Sequence, residues 1–340
     1  MTNMLFSEPK VDLEGKSILV TGGTGSFGQA FVKTLLRDYN PRRVIVYSRG
    51  EHEHYEMQSR LSEDELTRFR SFIGDVRDGD RLSMACQRVD VVIHAAALKH
   101  VPIAEYNPFE CIRTNVIGAQ NVVQAAIRAG VPRVVALSTD KAVNPINLYG
   151  ASKLASDKIF VAGNSLSGPD GTRFSVVRYG NVLGSQGSVI PFFRKMLEEG
   201  AKELPITDDR MTRFWITLDE AVRFVLSSIP LTQGGEIFVP KIPTIGIMDL
   251  VHAMAPGIPT KIVGVRPGEK LHEMMIDQYS SRHTMDIGDR YVIEPEWQFW
   301  ERKGFVDQGK PVPADFEYAS DTNEWKLSVD EIQKVVDNLD

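Results

Sequence analysis

Apolar residues in this chain come in short unbroken runs separated by stretches of mixed polarity. Ser17-Ile-Leu-Val-Thr21, Arg43-Val-Ile-Val-Tyr47, Phe72-Ile73, Val91-Val-Ile-His94, Val134-Val-Ala-Leu137 and Phe174-Ser-Val-Val-Arg178 are such runs. A strand with one wet face alternates apolar and polar residues, whereas a strand covered on both faces need not. The runs therefore predict strands of one parallel sheet with helices packed on either side. Between them, Phe27 to Arg37 places Phe27, Phe31 and Leu35 on one helical face, and Glu110 to Ala129 reads as a longer helix.

Past Asn181 the rhythm changes to glycine- and proline-rich loops between isolated helices. Pro191 to Glu199 is one, and a Thr217-x-x-Glu220 capping box starts another at Leu218. The pattern predicts an α/β protein: a Rossmann-type doubly wound parallel sheet with a smaller, mixed lobe. Residues 12–181, with roughly 217–243, form the dinucleotide-binding domain in this reading; 182–216 and 244–289 form the lobe. From Arg290 on, Trp297, Trp300, Phe305 and Phe316 among prolines and charges suggest an extended arm, 290–340, packed on the body.

At 340 residues, 42% hydrophobic and 25% charged, the chain can bury a substantial core and has the composition of an ordinary folded protein. Its net charge of -6 offers no general attraction to phosphate backbones, which disfavours nucleic acid as a partner. Cys86 and Cys111 show neither disulfide nor zinc spacing, so no metal is expected and a reducing cytoplasm is. No eighteen-residue apolar run and no basic-then-apolar leader occurs, so neither export nor a membrane span is expected.

The first run ends in Thr21-Gly22-Gly23-Thr24-Gly25-Ser26-Phe27-Gly28. Glycines spaced this way between a strand and a helix let the backbone approach a pyrophosphate, which the helix N-terminal N–H groups bind. Gly22, Thr24, Gly25, Ser26, Phe27 and Gly28 are thus candidate cofactor contacts. Where an NAD site has an acid after the second strand, this chain has Ser48-Arg49; a guanidinium there favours the 2′-phosphate of NADP, although Glu51 and Glu53 follow. Asp75 and Val76 after the third strand, and Ala95 and Ala96 after the fourth, lie where the adenine and the rest of such a cofactor would pass.

Tyr149 and Lys153 are four residues apart, one turn on the same helical face. The ammonium should lower the phenol's pKa and make it a base toward a sugar hydroxyl. Ser138-Thr139-Asp140-Lys141 follows the fifth run and offers an acid and a base beside that helix. A plain reductase needs only a hydroxyl there, so Asp140 and Lys141 point to elimination chemistry.

With the glycine turn, Tyr149 and Lys153 identify a member of the short-chain dehydrogenase/reductase superfamily, and the chain's length and second lobe indicate the extended branch. The chain closely resembles the inverting UDP-N-acetylglucosamine 4,6-dehydratases. The resemblance rests on Thr21 to Gly28, Val46 to Arg49, His94 to Pro108, Leu137 to Pro145, Arg178 to Asn181, Arg210 to Trp215 and Arg266 to Glu273, and spans nearly the whole chain. It implies a lyase using NADP, with Asp140, Lys141, Tyr149, Lys153 and Thr139 at the reacting centre. It further implies that Lys99, Asn181, Thr207, Arg266 and Glu269 meet the UDP-sugar, and that the protein is a homo-oligomer, dimer or hexamer. A UDP-hexose 4-epimerase and a non-catalytic NADP-binding scaffold are the alternatives. The epimerase needs no acid-base pair beside C5 and C6, and the scaffold would usually lose Tyr149 or Lys153.

Overall fold

The computed structural model describes residues 5–184 and 189–339; 185–188, within the expected lobe, and residue 340 of the expected arm lie outside them. Six strands, β1 (Ser17–Thr21), β2 (Arg43–Ser48), β3 (Phe69–Ile73), β4 (Val91–His94), β5 (Arg133–Thr139) and β6 (Arg173–Tyr179), pair in parallel. Their spatial order is 3-2-1-4-5-6, the doubly wound order, which reverses between β1 and β4 and opens a crevice at the carboxyl ends there.

The unbroken apolar runs have the cause inferred from them. Ile18 and Val20 enter one core with Phe31 and Leu35 of helix α1 (Ser26–Asp38), while Leu19 between them enters a second core with Val122 and Phe160. Both sets are buried, each large apolar side chain contributing about 1.5–3 kcal/mol. Strand β3 is the exception: it is a sheet edge in which only Phe69 is buried, so Arg70 and Ser71 break the apolar pattern and the sequence shows only its last two residues.

Beyond β6 the sheet continues to ten strands. Ile237–Pro240 pairs in parallel with β6, and Arg290–Ile293, Thr284–Asp286 and Lys310–Pro311 follow antiparallel. The lobe–arm boundary expected at 289/290 thus falls inside a hairpin of the main sheet. The arm is not extended throughout. It ends in the helix Val329–Asp337, opened by a Ser328/Glu331 capping box, whose Ile332 and Val336 enter the lobe's core with Phe193, Trp215 and Leu250. The expected helix over 110–129 is interrupted by a π-turn at Arg113–Ile117. Gly118 closes that turn against Val76, whose side chain lies 2.8 Å from where a Cβ would stand.

One buried ion cluster ties the C-terminal segment to the sheet. Glu236 is fully buried, accepts from the backbone N–H groups of Gln233 and Gly234, and lies 3.0 Å from Arg302, which also reaches Glu294 at 3.1 Å. Removing one member leaves uncompensated buried charge. Arg302→Ala should therefore lower unfolding stability by about 3–5 kcal/mol, read as a lower denaturant midpoint; an unchanged midpoint would show that Glu236 takes up a proton at no cost.

Candidate active site

The crevice at the switch point is a cleft of about 650 Å³ that runs from the glycine turn to the start of the helix Leu148–Ser167. Gly22 has φ +66°, and a Cβ there would stand 2.8 Å from the Ala96 backbone; only glycine lets the turn and the loop after β4 approach so closely. A Cβ on Gly28 would fall 2.4 Å from Gly23 Cα, so this residue seats α1 against the turn. Helix α1 has Gly25 at its N-cap, with no side-chain cap and no acid in its first turn. An anion is what such a helix start accommodates, and the cradle fits a dinucleotide pyrophosphate.

Ser48 Oγ accepts from Thr24 N–H at 3.3 Å, fixing the end of β2 to the turn. Arg49 beside it is exposed, with its guanidinium 4.0 Å from the Asp75 carboxylate, while Arg77 binds the same carboxylate at 2.6 and 2.9 Å. Burial raises the Asp75 pKa, but the two arginines outweigh it and hold the carboxyl below its ordinary value. Arg49 is therefore a cation at the cleft wall, and Glu53 lines the same wall.

At the other end, Thr139 Oγ1 donates to Asp140 Oδ1 at 2.9 Å, and Lys141 Nζ donates to the same oxygen at 2.9 Å and to Asn181 Oδ1 at 3.3 Å. Tyr149 and Lys153 complete the wall. Burial pushes the Tyr149 phenol up to about 12, and the main cation opposing this is Lys141. The lowered phenol pKa expected from a neighbouring ammonium is thus not met in the free protein, where burial outweighs the cations. Burial lowers Lys153 itself, and its counter-ion is Asp157, which also accepts from Ser138 Oγ at 2.8 Å and pairs with Arg178 at 3.3 Å. Lys141 is held above the ordinary lysine range: burial opposes the charge, but Asp140 and a third residue, Glu273, outweigh it.

Gly22, Thr24, Gly25, Ser26, Phe27, Gly28, Ser48, Arg49, Asp75, Val76, Ala95, Ala96, Lys99, Thr139, Lys141, Tyr149, Lys153 and Asn181 all line the cleft, with Asp140 directly behind. Thr207, Arg266 and Glu269 do not line it. Thr207 Oγ1 contacts Met211 Sδ, Glu269 pairs with Arg213 at 3.4 Å, and Arg266 is exposed on a neighbouring loop. That loop reaches the cleft's rim by backbone, Asn147 Nδ2 donating to Gly268 O at 2.7 Å.

Sequence reasoning missed Asn115, on the π-turn. Its amide accepts from Leu98 N–H at 2.8 Å and donates to Leu98 O at 2.9 Å and Ser152 Oγ at 2.9 Å. One buried side chain thereby fixes both the loop after β4 and the Tyr149 helix; the only sequence signal was a polar residue inside an otherwise apolar helical face. Glu273 was also missed as a site residue, since nothing local links it to Lys141 across the chain.

Residues 18–295 match the family model of the polysaccharide biosynthesis proteins. An inverting UDP-N-acetylglucosamine 4,6-dehydratase of Campylobacter jejuni is 53% identical over 96% of this chain and 98% of its own length. A UDP-glucose 4-epimerase of Rickettsia canadensis is 38% identical over 94% and 95%. Among solved structures, Pen from Bacillus thuringiensis superposes with TM-score 0.87 at 34% identity, covering 96% of this chain and 99% of that one. The dTDP-glucose 4,6-dehydratase DesIV from Streptomyces venezuelae, solved with NAD bound, gives TM-score 0.64 at 26% identity over 75% and 86%. The chain belongs to the polysaccharide biosynthesis protein family, and its resemblance to the inverting 4,6-dehydratases holds over nearly its full length.

Asn115→Ala should loosen the loop after β4 while leaving the core packed. Losing its buried hydrogen bonds costs about 1–3 kcal/mol, part of it in dinucleotide affinity, expected to weaken about tenfold by calorimetry. Unchanged affinity would remove Asn115 from the site.

Proposed function

From that membership we propose that this chain is an NADP-dependent UDP-N-acetylglucosamine 4,6-dehydratase that inverts C5. Its product is UDP-2-acetamido-2,6-dideoxy-β-L-arabino-hex-4-ulose, and the step opens pseudaminic acid biosynthesis in the cytoplasm, with the protein acting as a homo-oligomer. The single observation that carries the reading is the Asp140–Lys141 pair at 2.9 Å, placed in the cleft beside Tyr149. The glycine turn, Ser48 and Arg49 would hold the dinucleotide, which when bound supplies reversible hydride acceptance. NADP is favoured over NAD by the exposed Arg49 guanidinium, the only one on the cleft's lining among the described residues.

Tyr149 takes the proton of the C4 hydroxyl as that carbon is oxidised, leaving a 4-ketone. The ketone acidifies C5–H. Lys141 receives the C5 proton; Asp140, a carboxylate at rest, takes up the proton that Tyr149 removed from the C4 hydroxyl and gives it to the departing C6 hydroxyl, and water leaves. Hydride returns to C6 and a proton to C5, so the net change is loss of one water with no net oxidation. Below its pKa the phenol is protonated, so the C4 oxidation step should speed up with rising pH.

Proton NMR of UDP-N-acetylglucosamine incubated with the protein tests the reading. A new C6 methyl doublet is expected, and a C4-inverted sugar without it would make the protein an epimerase. Tyr149→Phe should lower turnover by about two to four orders of magnitude while retaining dinucleotide binding. Calorimetry should show NADP binding more tightly than NAD, with the preference reduced in Arg49→Ala; tighter NAD binding would overturn the cofactor assignment.

A further inference from the structure

The mechanism above asks Lys141 to accept a proton, yet the structure holds Lys141 as an ammonium between two carboxylates. Asp140 Oδ1 is 2.9 Å from its Nζ and Glu273 Oε1 is 3.5 Å away. Glu273 comes from the far end of the Arg266–Glu273 segment, just before the strand Met274–Ile276, and is 2% exposed. Its backbone is anchored independently of its carboxylate: its N–H donates to Ser320 Oγ at 2.9 Å and its carbonyl accepts from Ser320 N–H at 2.8 Å. The second carboxylate oxygen, Oε2, is buried without a hydrogen-bond partner, 4.0 Å from Lys270 Nζ, and Asp140 Oδ2 is likewise unpartnered. A buried acceptor left empty beside an ammonium has room for a proton.

We propose that Glu273 is the positioning residue that takes the resting proton of Lys141, so that the amine beside the sugar becomes free without losing that proton to solvent. The proposal rests on the dehydratase reading and names a residue that reading leaves unused. The step balances: the Nζ–H bond breaks as an O–H bond forms on Glu273, giving neutral amine and neutral acid; Lys141 then takes the C5 proton and is again an ammonium. Burial disfavours both charged forms and so narrows the gap between ion pair and neutral pair. It raises Glu273 above the ordinary carboxyl range, as does Asp140, against Lys141, Arg213 and Lys270. Those groups, together with Tyr149 facing Lys141, are the charged and titratable neighbours of the pair.

A proton passed within a pair leaves the pair's total protonation unchanged, so the amine's availability does not vary with pH between the pair's two macroscopic pKa values. The full-length protein loaded with NADP and substrate is followed through a single turnover. The decay of reduced-cofactor absorbance reports the second half-reaction, and deuterium at C5 of the product made in heavy water reports proton removal. The wild-type decay rate is expected to be flat from about pH 6 to 8. In Glu273→Gln, Lys141 must release its proton to water, so the rate should fall at neutral pH and climb about tenfold per pH unit, with reduced cofactor still formed. Glu273→Asp should restore the flat profile at a lower rate. A merely structural role would lower the rate without changing its slope. A flat Glu273→Gln profile overturns the proposal. So does a wild-type rate that itself climbs tenfold per unit, which decides the matter even where the variant does not fold. Failure of the dehydratase reading is distinct: the wild type would then yield no C6 methyl signal.

Discussion

A parallel sheet covered on both faces leaves its chemistry one place to go. With Leu19 in one core and Ile18 and Val20 in the other, no face of β1 is free, and a ligand can approach only past the carboxyl ends of the strands. The order reverses between β1 and β4, so the two crossing helices diverge and the crevice opens there. Most groups that line the cleft hang from the end of a strand or the first turns of a helix that follows one. The close approach of Gly22 to Ala96 shows how little slack this leaves: the loop after β4 and the turn after β1 share a boundary that tolerates no Cβ.

The same geometry buries ions. Lys153, Asp157 and Arg178 lie beneath the cleft, and Lys141, Asp140 and Glu273 at its end, all but Lys141 less than a tenth exposed. Each would be costly alone; they persist because opposite charges and hydroxyls are grouped around them, Asp157 meeting Ser138 and Arg178, and Lys141 meeting Asp140 and Glu273. Position within this network divides the labour. Asp157 favours the charge on Lys153 against its burial, whereas Lys141 is the main cation opposing the burial of the Tyr149 phenol.

The doubly wound order was legible because buried parallel strands cannot alternate, and the glycine turn because its spacing is local. What escaped the sequence was non-local or atypical. Strand β3 is an edge and lacks the run; the strands at 284–286, 290–293 and 310–311 are short and antiparallel, with no helix between to announce them. The π-turn at Arg113–Ile117 leaves no mark on composition, yet it turns Asn115 inward. Of the candidate site, the residues that follow strands were readable; Glu273 was not, because it meets Lys141 only through the path of the chain across the lobe. The loop carrying Arg266 and Glu269 shows the converse, since its family motif is plain in the sequence while its side chains stand off the cleft.

These observations bear on the choice between dehydratase and epimerase, which the relatives at 53% and 38% identity represent. Both reactions begin by oxidising C4, and Tyr149 with Lys153 is enough for that. An epimerase then returns hydride to the same carbon and asks nothing of C5 or C6. A lysine beside Tyr149 could aid that oxidation through its charge alone, but clamping it between two buried carboxylates weakens that field and costs several kcal/mol of desolvation against apolar residues of similar volume. Elimination across C5 and C6 does need such a group: a base for one proton, an acid for another, and a store that keeps both from water until the ketone has formed. The charge cluster at Asp140, Lys141 and Glu273 thus matches the demands of elimination more fully than those of epimerisation.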